Sequence, residues 1–378
     1  MNLKRALLLL LVALFAGLIV GRYRAHRAPR PVAPPPSAPS AEHPRPAAAT
    51  PAPAPVHADP VPAPATSLLS RIERLLTLLQ SGANPAELAA LKRELLASDP
   101  DASIAAIISF LASGRDASTS LDFQLGERGA LDAAPTLRTM LLDVLGQIAR
   151  TSRSDAAAKY ARTLLESKTS ADEWALALRN VAWHDPTATP YLAGKMRELL
   201  AHAPWRERPS AGMLEAFDVI VFAKDASFIP DLADAQRAGQ RDLSHAAAIA
   251  LDRLAEQTPL DVMNYLNTHP TTLATSPMLR ADYYAKADVS QPAQRAALEV
   301  YLGRPDIAPA EKEKLLKAIA TPASFVSENL LTESAPPPAD DGAAARRDAL
   351  GKVASDWLTT NRFPDLTAPL TLLQQRLK

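Results

Sequence analysis

The sequence contains no cysteine, only 13 glycines in 378 residues, few aromatic side chains (5%) and no net charge, since 41 Lys and Arg balance 41 Asp and Glu. Each shortage excludes something. Without cysteine there are no disulfides, no thiolate catalysis and no Cys-based metal site. A neutral total argues against a nucleic-acid partner, because phosphate binding normally needs a basic excess. The catalytic templates are missing too. None of the seven histidines is followed by Glu, so there is no HExxH, and neither Gly194-Lys195 nor Gly351-Lys352 is followed by Ser or Thr as a phosphate loop requires. There is no GxGxxG and no GxSxG elbow. His184 beside Asp185 could orient an imidazole, but the local pattern reads more simply as the end of one helix and the cap of the next. His202, His245 and His269 are scattered over different segments, so no metal site is expected. These absences predict a chain with no catalysis of its own and no cofactor.

What is present is unevenly placed. Residues 1–67 carry seven Lys and Arg against two acids, so a basic tail precedes a mildly acidic body. Residues 6–21 (ALLLLLVALFAGLIVG) hold no polar side chain and follow Lys4 and Arg5. As a helix they would span about 24 Å, a little short of a hydrocarbon core of about 30 Å. The candidate cleavage positions put bulky Leu14 or Ile19 where a small residue is needed. Residues 1–27 therefore read as an uncleaved signal anchor, with Ala6, Leu7, Leu10, Leu14, Leu18 and Val20 in the lipid. Arg22, Arg24, Arg27 and Arg30 form a flank for anionic headgroups, each contributing about 1 kcal/mol near the surface. The expected location is a bacterial inner membrane, crossed once, with the rest of the chain in the periplasm. Secretion after cleavage is one alternative, and a cytoplasmic orientation, favoured by the positive-inside rule, is the other.

Of the 34 prolines, 14 fall between Pro29 and Pro64. Residues 28–66, rich in Pro and Ala and almost uncharged, cannot bury enough surface to offset the entropy of ordering, and read as a disordered spacer. Extended as polyproline II it would reach on the order of 100 Å.

Beyond residue 67 the periodicity is helical. Apolar residues at i, i+3, i+4 and i+7 spacing form stripes at Leu137, Met140, Leu141, Val144, Leu145 and Ile148, at Trp174, Ala177, Leu178, Val181 and Ala182, at Leu192, Met196, Leu199 and Leu200, and at Leu243, Ala247, Ala250, Leu251 and Leu254. Helix starts are marked by Asn84-Pro85, Asp99-Pro100, Ala134-Pro135, Ser170 with Glu173, Asp185-Pro186, Thr258-Pro259, Ser276-Pro277 and Thr321-Pro322. No convincing strand is found; Val219 to Phe222 continues a helical pattern begun at Leu214. First helices of successive pairs begin near Pro135, Ala171, Ala211, Leu243, Pro277 and Pro309, at a loose period of 32 to 40 residues. Asp99, Asp185 and Asp225 sit in similar connecting turns, where each can cap the helix that follows.

With these turns, with Pro190 and Pro230 five residues after the Asp and Leu192 and Leu232 following, and with the small-residue run Ala246 to Leu251, the sequence resembles HEAT-like (armadillo-type) repeat proteins, including a short bacterial form first noticed in bilin-lyase relatives. The resemblance covers roughly residues 85–331. It implies an all-α fold, a right-handed α-solenoid of antiparallel helix pairs that serves as a protein-binding scaffold. The expected organisation is repeats over 67–334, with a long loop or poorly formed helix at 114–133, a Pro-rich linker at 335–342 and a helical cap at 343–378 carrying Trp357, Leu358, Phe363, Leu370, Leu373 and Leu377.

Candidate contacts for an unidentified protein partner are Trp205, in a polar stretch, and one of Tyr283 and Tyr284, which point in different directions on a helix. The mixed charges of residues 311–314 (EKEK) read as ordinary solvated surface. The alternative to a scaffold is an exported enzyme or small-ligand binder with a pocket between repeats.

Overall fold

Proline at the first turn, an oxygen-bearing side chain before it and an apolar stripe behind it produce a mostly helical fold among the described residues. The computed structural model describes residues 65–82, 85–320, 329–332 and 340–377, all within one compact unit, Pro60–Lys378. The expected anchor and basic flank, the expected spacer as far as residue 64 and most of the expected Pro-rich linker lie outside the described residues, while Ala65 and Thr66, expected in the spacer, open the first helix. In order come α1 (Ala65–Gln80), α2 (Pro85–Ala97), α3 (Pro100–Ala112), strands β1 (Gln124–Leu125) and β2 (Leu131–Ala133), α4 (Leu137–Ser152), α5 (Ala156–Leu164), α6 (Ala171–His184), α7 (Thr189–Ala201) and α8 (Ala203–Glu207). Then follow α9 (Ala211–Glu215), α10 (Asp218–Ala223), α11 (Ile229–Arg237), α12 (Arg241–Gln257), α13 (Pro259–Thr268), α14 (Pro277–Tyr284), α15 (Pro292–Gly303), α16 (Pro309–Ala318), α17 (Asp340–Thr359) and α18 (Thr367–Leu377).

Capping chemistry sets several of these boundaries. Asp99 accepts from the Ala102 amide ahead of Pro100, Thr136 accepts from Thr139, and Ser170 accepts from Glu173. Such caps satisfy amides that have no partner inside the helix. Two starts differ from the sequence reading. Pro135 precedes α4 by two residues because Thr136 is the cap. After α6, Asp185 spends one oxygen on the Thr187 amide and hydroxyl and the other on Arg162, so the turn continues and α7 opens at Thr189. Asp185 therefore shapes the turn and does not cap α7. Thr321-Pro322 lies outside the described residues.

Packing follows a regular rule. One set of helices stacks on itself in sequence: α1 on α3, α3 on α4, α4 on α6, α6 on α9, α9 and α10 on α12, α12 on α14, α14 on α16, and α16 on α18. The intervening helices pack back on this row, as α5 does on α6 and α11 on α12. The row contains helices beginning at Leu137, Ala171, Ala211, Arg241, Pro277 and Pro309, within two residues of the first-helix starts expected from sequence. The four apolar stripes are buried throughout, and Trp357, Phe363, Leu370 and Leu373 bury the end of the row.

Neighbouring row helices are also tied through their first turns. Arg138 at the start of α4 makes a two-point contact with Glu173 in α6 (2.7 and 3.0 Å) and donates to the Leu111 carbonyl. Asp172 accepts from the Gly212 amide in α9, and Arg280 of α14 grips Glu311 of α16 at 2.7 and 2.9 Å. Paired in this way, buried charges keep their hydrogen bonds and avoid the desolvation cost of an isolated ion.

Two departures from the helical reading matter for the site. The stretch expected as a loop or weak helix folds into the antiparallel pair β1 and β2, joined by a 3-10 turn Glu127–Gly129, with Phe123, Leu125 and Leu131 buried. Its strands are too short for a period-2 pattern to register. The helix expected to run from Leu214 through Phe222 breaks at Ala216 and Phe217, where bonds tighten to three-residue spacing, and Asp218 opens the second piece.

Candidate functional site

Apolar helices that stack leave little room for charge, so the ionisable groups buried between row helices stand out. Besides Arg138–Glu173 and Arg280–Glu311, two such junctions among the described residues are crossed by extended backbone, and these are built alike. In the first, Asp143 of α4 and Arg179 of α6 meet at 2.8 Å, 36 residues apart, at 1% and 0% side-chain exposure. In the second, Asp218 of α10 and Arg253 of α12 approach to 3.6 Å with nearly the same sequence separation, at 7% and 3% exposure.

An extended stretch of backbone lies across each. At the first junction the stretch is the β1–β2 hairpin. Asp143 accepts from the Leu131 amide (3.1 Å), from Lys92 (3.0 Å) and from Gln147 (2.7 Å), while Arg179 donates to the Gly129 carbonyl (2.6 Å) and to Asn180. Lys92 also reaches the Leu131 carbonyl at 2.6 Å. Burial pulls the Arg179 pKa down, opposed by Asp143. Arg179 further stacks over Trp183, 4.1 Å from its ring centre.

At the second junction the stretch is residues 329–332, Asn-Leu-Leu-Thr. Asp218 accepts from the amides of Leu331 and Thr332, both at 2.7 Å, and from the Thr332 hydroxyl. Arg253 donates one nitrogen, Nη2, to the Thr332 carbonyl at 3.0 Å, and Asn329 donates to the same oxygen at 2.8 Å. Nε and Nη1 of Arg253 are buried without a hydrogen-bond partner. Leu330 is fully buried and Leu331 half-buried. Burial raises the Asp218 pKa against the pull of its three donors and of Arg253. Glu215, one turn earlier, is raised to about 7 by burial and by the nearby Asp218 charge.

The two stretches touch. Gly129 adopts a left-handed backbone (φ 73°), and a Cβ there would collide with the Leu330 carbonyl oxygen, so this position needs glycine on both counts.

The residues expected to meet a partner are placed differently. Tyr283 and Tyr284 are both fully buried, which corrects the expectation that one is exposed. Tyr283 accepts from Gln236, and Tyr284 donates to Asn267 at 2.7 Å and stacks on Tyr301 at 3.8 Å, because α14 is covered on both sides by neighbouring helices. Burial raises both phenol pKa values. Trp205 is half-buried, set edge-on to Trp174 at 5.4 Å and to His202 at 4.5 Å. The 311–314 run is not wholly solvated: Glu311 is buried on Arg280 and the Tyr301 hydroxyl, and Lys312 is buried against the Arg304 carbonyl at 2.7 Å. His184 places Nδ1 on the Asn180 carbonyl at 2.7 Å and makes no bond to Asp185. Ala6, Leu7, Leu10, Leu14, Leu18, Val20, Arg22, Arg24, Arg27 and Arg30 lie outside the described residues.

Among the described residues no group of three or more His, Asp or Glu is placed to hold a metal ion, and no helix is long and apolar enough to cross a membrane. Shallow cavities among the described residues include one of about 390 Å³ between the turn at residues 224–227 and α13, and one of about 220 Å³ between α16 and α18.

Sequence reasoning did not single out Asp143, Arg179, Asp218, Arg253 or residues 329–332. A signal was there for the carboxylates: Asp143 interrupts an apolar run between Leu142 and Val144 and Asp218 does so between Phe217 and Val219, with Arg179 and Arg253 following at nearly the same distance, 36 and 35 residues. Compared with protein-family models, with curated proteins and with solved structures, the chain matches none.

Proposed function

We propose that the chain is a membrane-tethered envelope scaffold. In this reading residues 6–21 anchor it in a bacterial inner membrane, residues 28–66 hold the helical part at a distance, and that part, a right-handed HEAT-like solenoid facing the periplasm, binds another protein without catalysis of its own. The observation that carries the reading is the unbroken row of stacked helices with extended backbone laid across its junctions. Such a row offers a long surface for another chain, and helix-pair arrays are generally used in that way. Tethering would raise the effective concentration of that surface near membrane assemblies.

Two measurements test it. A reporter active only outside the cytoplasm, fused after Lys378, is expected to be active; silence would sink the exported topology. A photo-crosslinking amino acid in place of Trp205, activated in intact cells, is expected to capture one discrete partner band. Labelling at random, or of lipid only, would remove the scaffold reading and leave the exported small-ligand binder in its place.

A further inference from the structure

The junction at Asp218 is closed by a segment from far along the chain, since Leu331 and Thr332 follow Asp218 by 113 and 114 residues. What holds that segment is directed mostly at its backbone. Asp218 takes two consecutive amides, which any residues other than proline present, and Arg253 takes a carbonyl. Only two features read side chains: the apolar place filled by Leu330, and the Asp218 oxygen that accepts the Thr332 hydroxyl. Main-chain contacts that supply affinity, with alternate side chains supplying selectivity, are the general way proteins recognise extended peptides.

Arg253 shows that residues 329–332 do not saturate the place. Its Nε is buried and unpartnered and its Nη1 makes no hydrogen bond, facing Asp218 only at 3.6 Å, whereas the equivalent Arg179 donates from Nε, Nη1 and Nη2. Unused donors in a buried guanidinium cost stability and leave binding strength for a better-fitting chain.

We propose that the Asp218–Arg253 junction is a binding site for an extended peptide segment of a partner protein, an aliphatic residue followed two places later by Thr or Ser, and that residues 329–332 occupy it as a tethered competitor. The inference rests on the scaffold reading and names what is bound. The tether gives the internal segment a high effective concentration, so a free peptide binds the native chain weakly and an opened variant strongly.

The probe is the acetylated, amidated tetrapeptide Asn-Leu-Leu-Thr, added to the full chain. Displacement is expected to speed hydrogen exchange at the Leu331 and Thr332 amides, by roughly fivefold when peptide is present at about four times its dissociation constant. The Leu131 amide at the other junction is expected to stay unchanged. Labelled peptide is expected to bind the Leu330→Ala/Thr332→Ala double variant at least about tenfold more tightly than the native chain, and a peptide with Val in place of Thr is expected to bind neither. The exchange measurement needs no variant, so it decides the matter even if the double variant fails to fold. Unchanged exchange at millimolar peptide, or equal binding of the Thr and Val peptides, would overturn the proposal. So would exchange that depends on protein concentration together with dimer formation, which would make a second copy of this chain the occupant. A silent peptide alongside a surviving Trp205 crosslink removes this inference alone, whereas displacement without any crosslinked protein removes the scaffold reading.

Discussion

The two buried arginine–carboxylate junctions that extended backbone crosses have the same plan and different degrees of completion. At Asp143 and Arg179 the backbone that lies across comes from a hairpin that precedes α4 directly, and a lysine and a glutamine add to the same carboxylate. At Asp218 and Arg253 the backbone is supplied from a distance, no lysine joins, and the ion pair is looser by 0.8 Å, 3.6 against 2.8 Å. Repetition along the helix row sets where charge is buried, while the segment that satisfies it differs from one junction to the other. A buried pair with every lone pair occupied acts as a structural rivet; one with donors to spare is a place where something else can be accommodated.

The comparison is most easily broken at its stronger end. Asp143→Ala leaves Arg179 and Lys92 facing each other without their carboxylate and is expected to cost about 3–5 kcal/mol in urea unfolding, with Arg179→Leu similar. Asp218→Ala is expected to cost about half as much, because Arg253 is less tightly paired; a larger loss than at Asp143 would invert the ranking.

Next in size is a pH effect confined to the second junction, where Glu215 stands three residues before Asp218 and Met140 holds the equivalent position before Asp143. The folded-state pKa of Glu215, about 7, lies above its ordinary value of 4.5, so the folded chain holds this proton more tightly than the unfolded chain. Its effect is absent below pH 4.5, stability falls as pH rises from there to 7, and the loss is complete above. A decrease on the order of 2 kcal/mol between pH 5 and 8 is expected, and Glu215→Gln should flatten it. A profile for the variant that matches the native one would assign the slope elsewhere, with Asp218 as the neighbouring acid.

A smaller change tests the contact between the two stretches. Gly129→Ala strains a left-handed residue and pushes on Leu330, for an expected loss of about 1–2 kcal/mol. Its signature would be faster exchange at Leu331 and Thr332, with little change at helix amides of α4. The smallest effect is expected for Arg253→Leu, about 1 kcal/mol, because the substitution removes one hydrogen bond, a loose 3.6 Å ion pair and an unpartnered Nε, while Asp218 keeps its three donors from residues 331 and 332. A loss comparable to that of Arg179→Leu would show the two arginines to be energetically equal.

Much of the helix row was legible in the sequence, because row helices are buried on one or more faces and must carry an apolar stripe. Helix α4 is the extreme case, with Leu141, Leu142, Val144 and Leu145 all buried. Prolines marked starts even where the preceding hydroxyl makes no cap bond, as at Thr258 and Ser276, whereas Asp185 misled because its oxygens are committed to Thr187 and Arg162. The hairpin was illegible because Gln124, Leu125 and residues 131–133 are too few to show a period. Tyr283 and Tyr284 misled because angular spacing on a helix says nothing about how many neighbours surround it. The junction residues were overlooked for a related reason: a charged residue in an apolar run looks like an imperfection in the stripe until the structure supplies the backbone it serves.

The distance in sequence between Asp218 and the segment that covers it also imposes an order of events. A ribosome that makes about 5–20 residues per second needs roughly 6–20 s to travel from Asp218 to Thr332. During that interval α10 and α12 can already be packed while their carboxylate and guanidinium remain uncovered. The first junction has no such delay, since its hairpin emerges before α4. The newborn chain therefore passes through a window in which its second junction is fully open, and whatever sits beside the emerging chain meets Asp218 and Arg253 before the protein's own segment does.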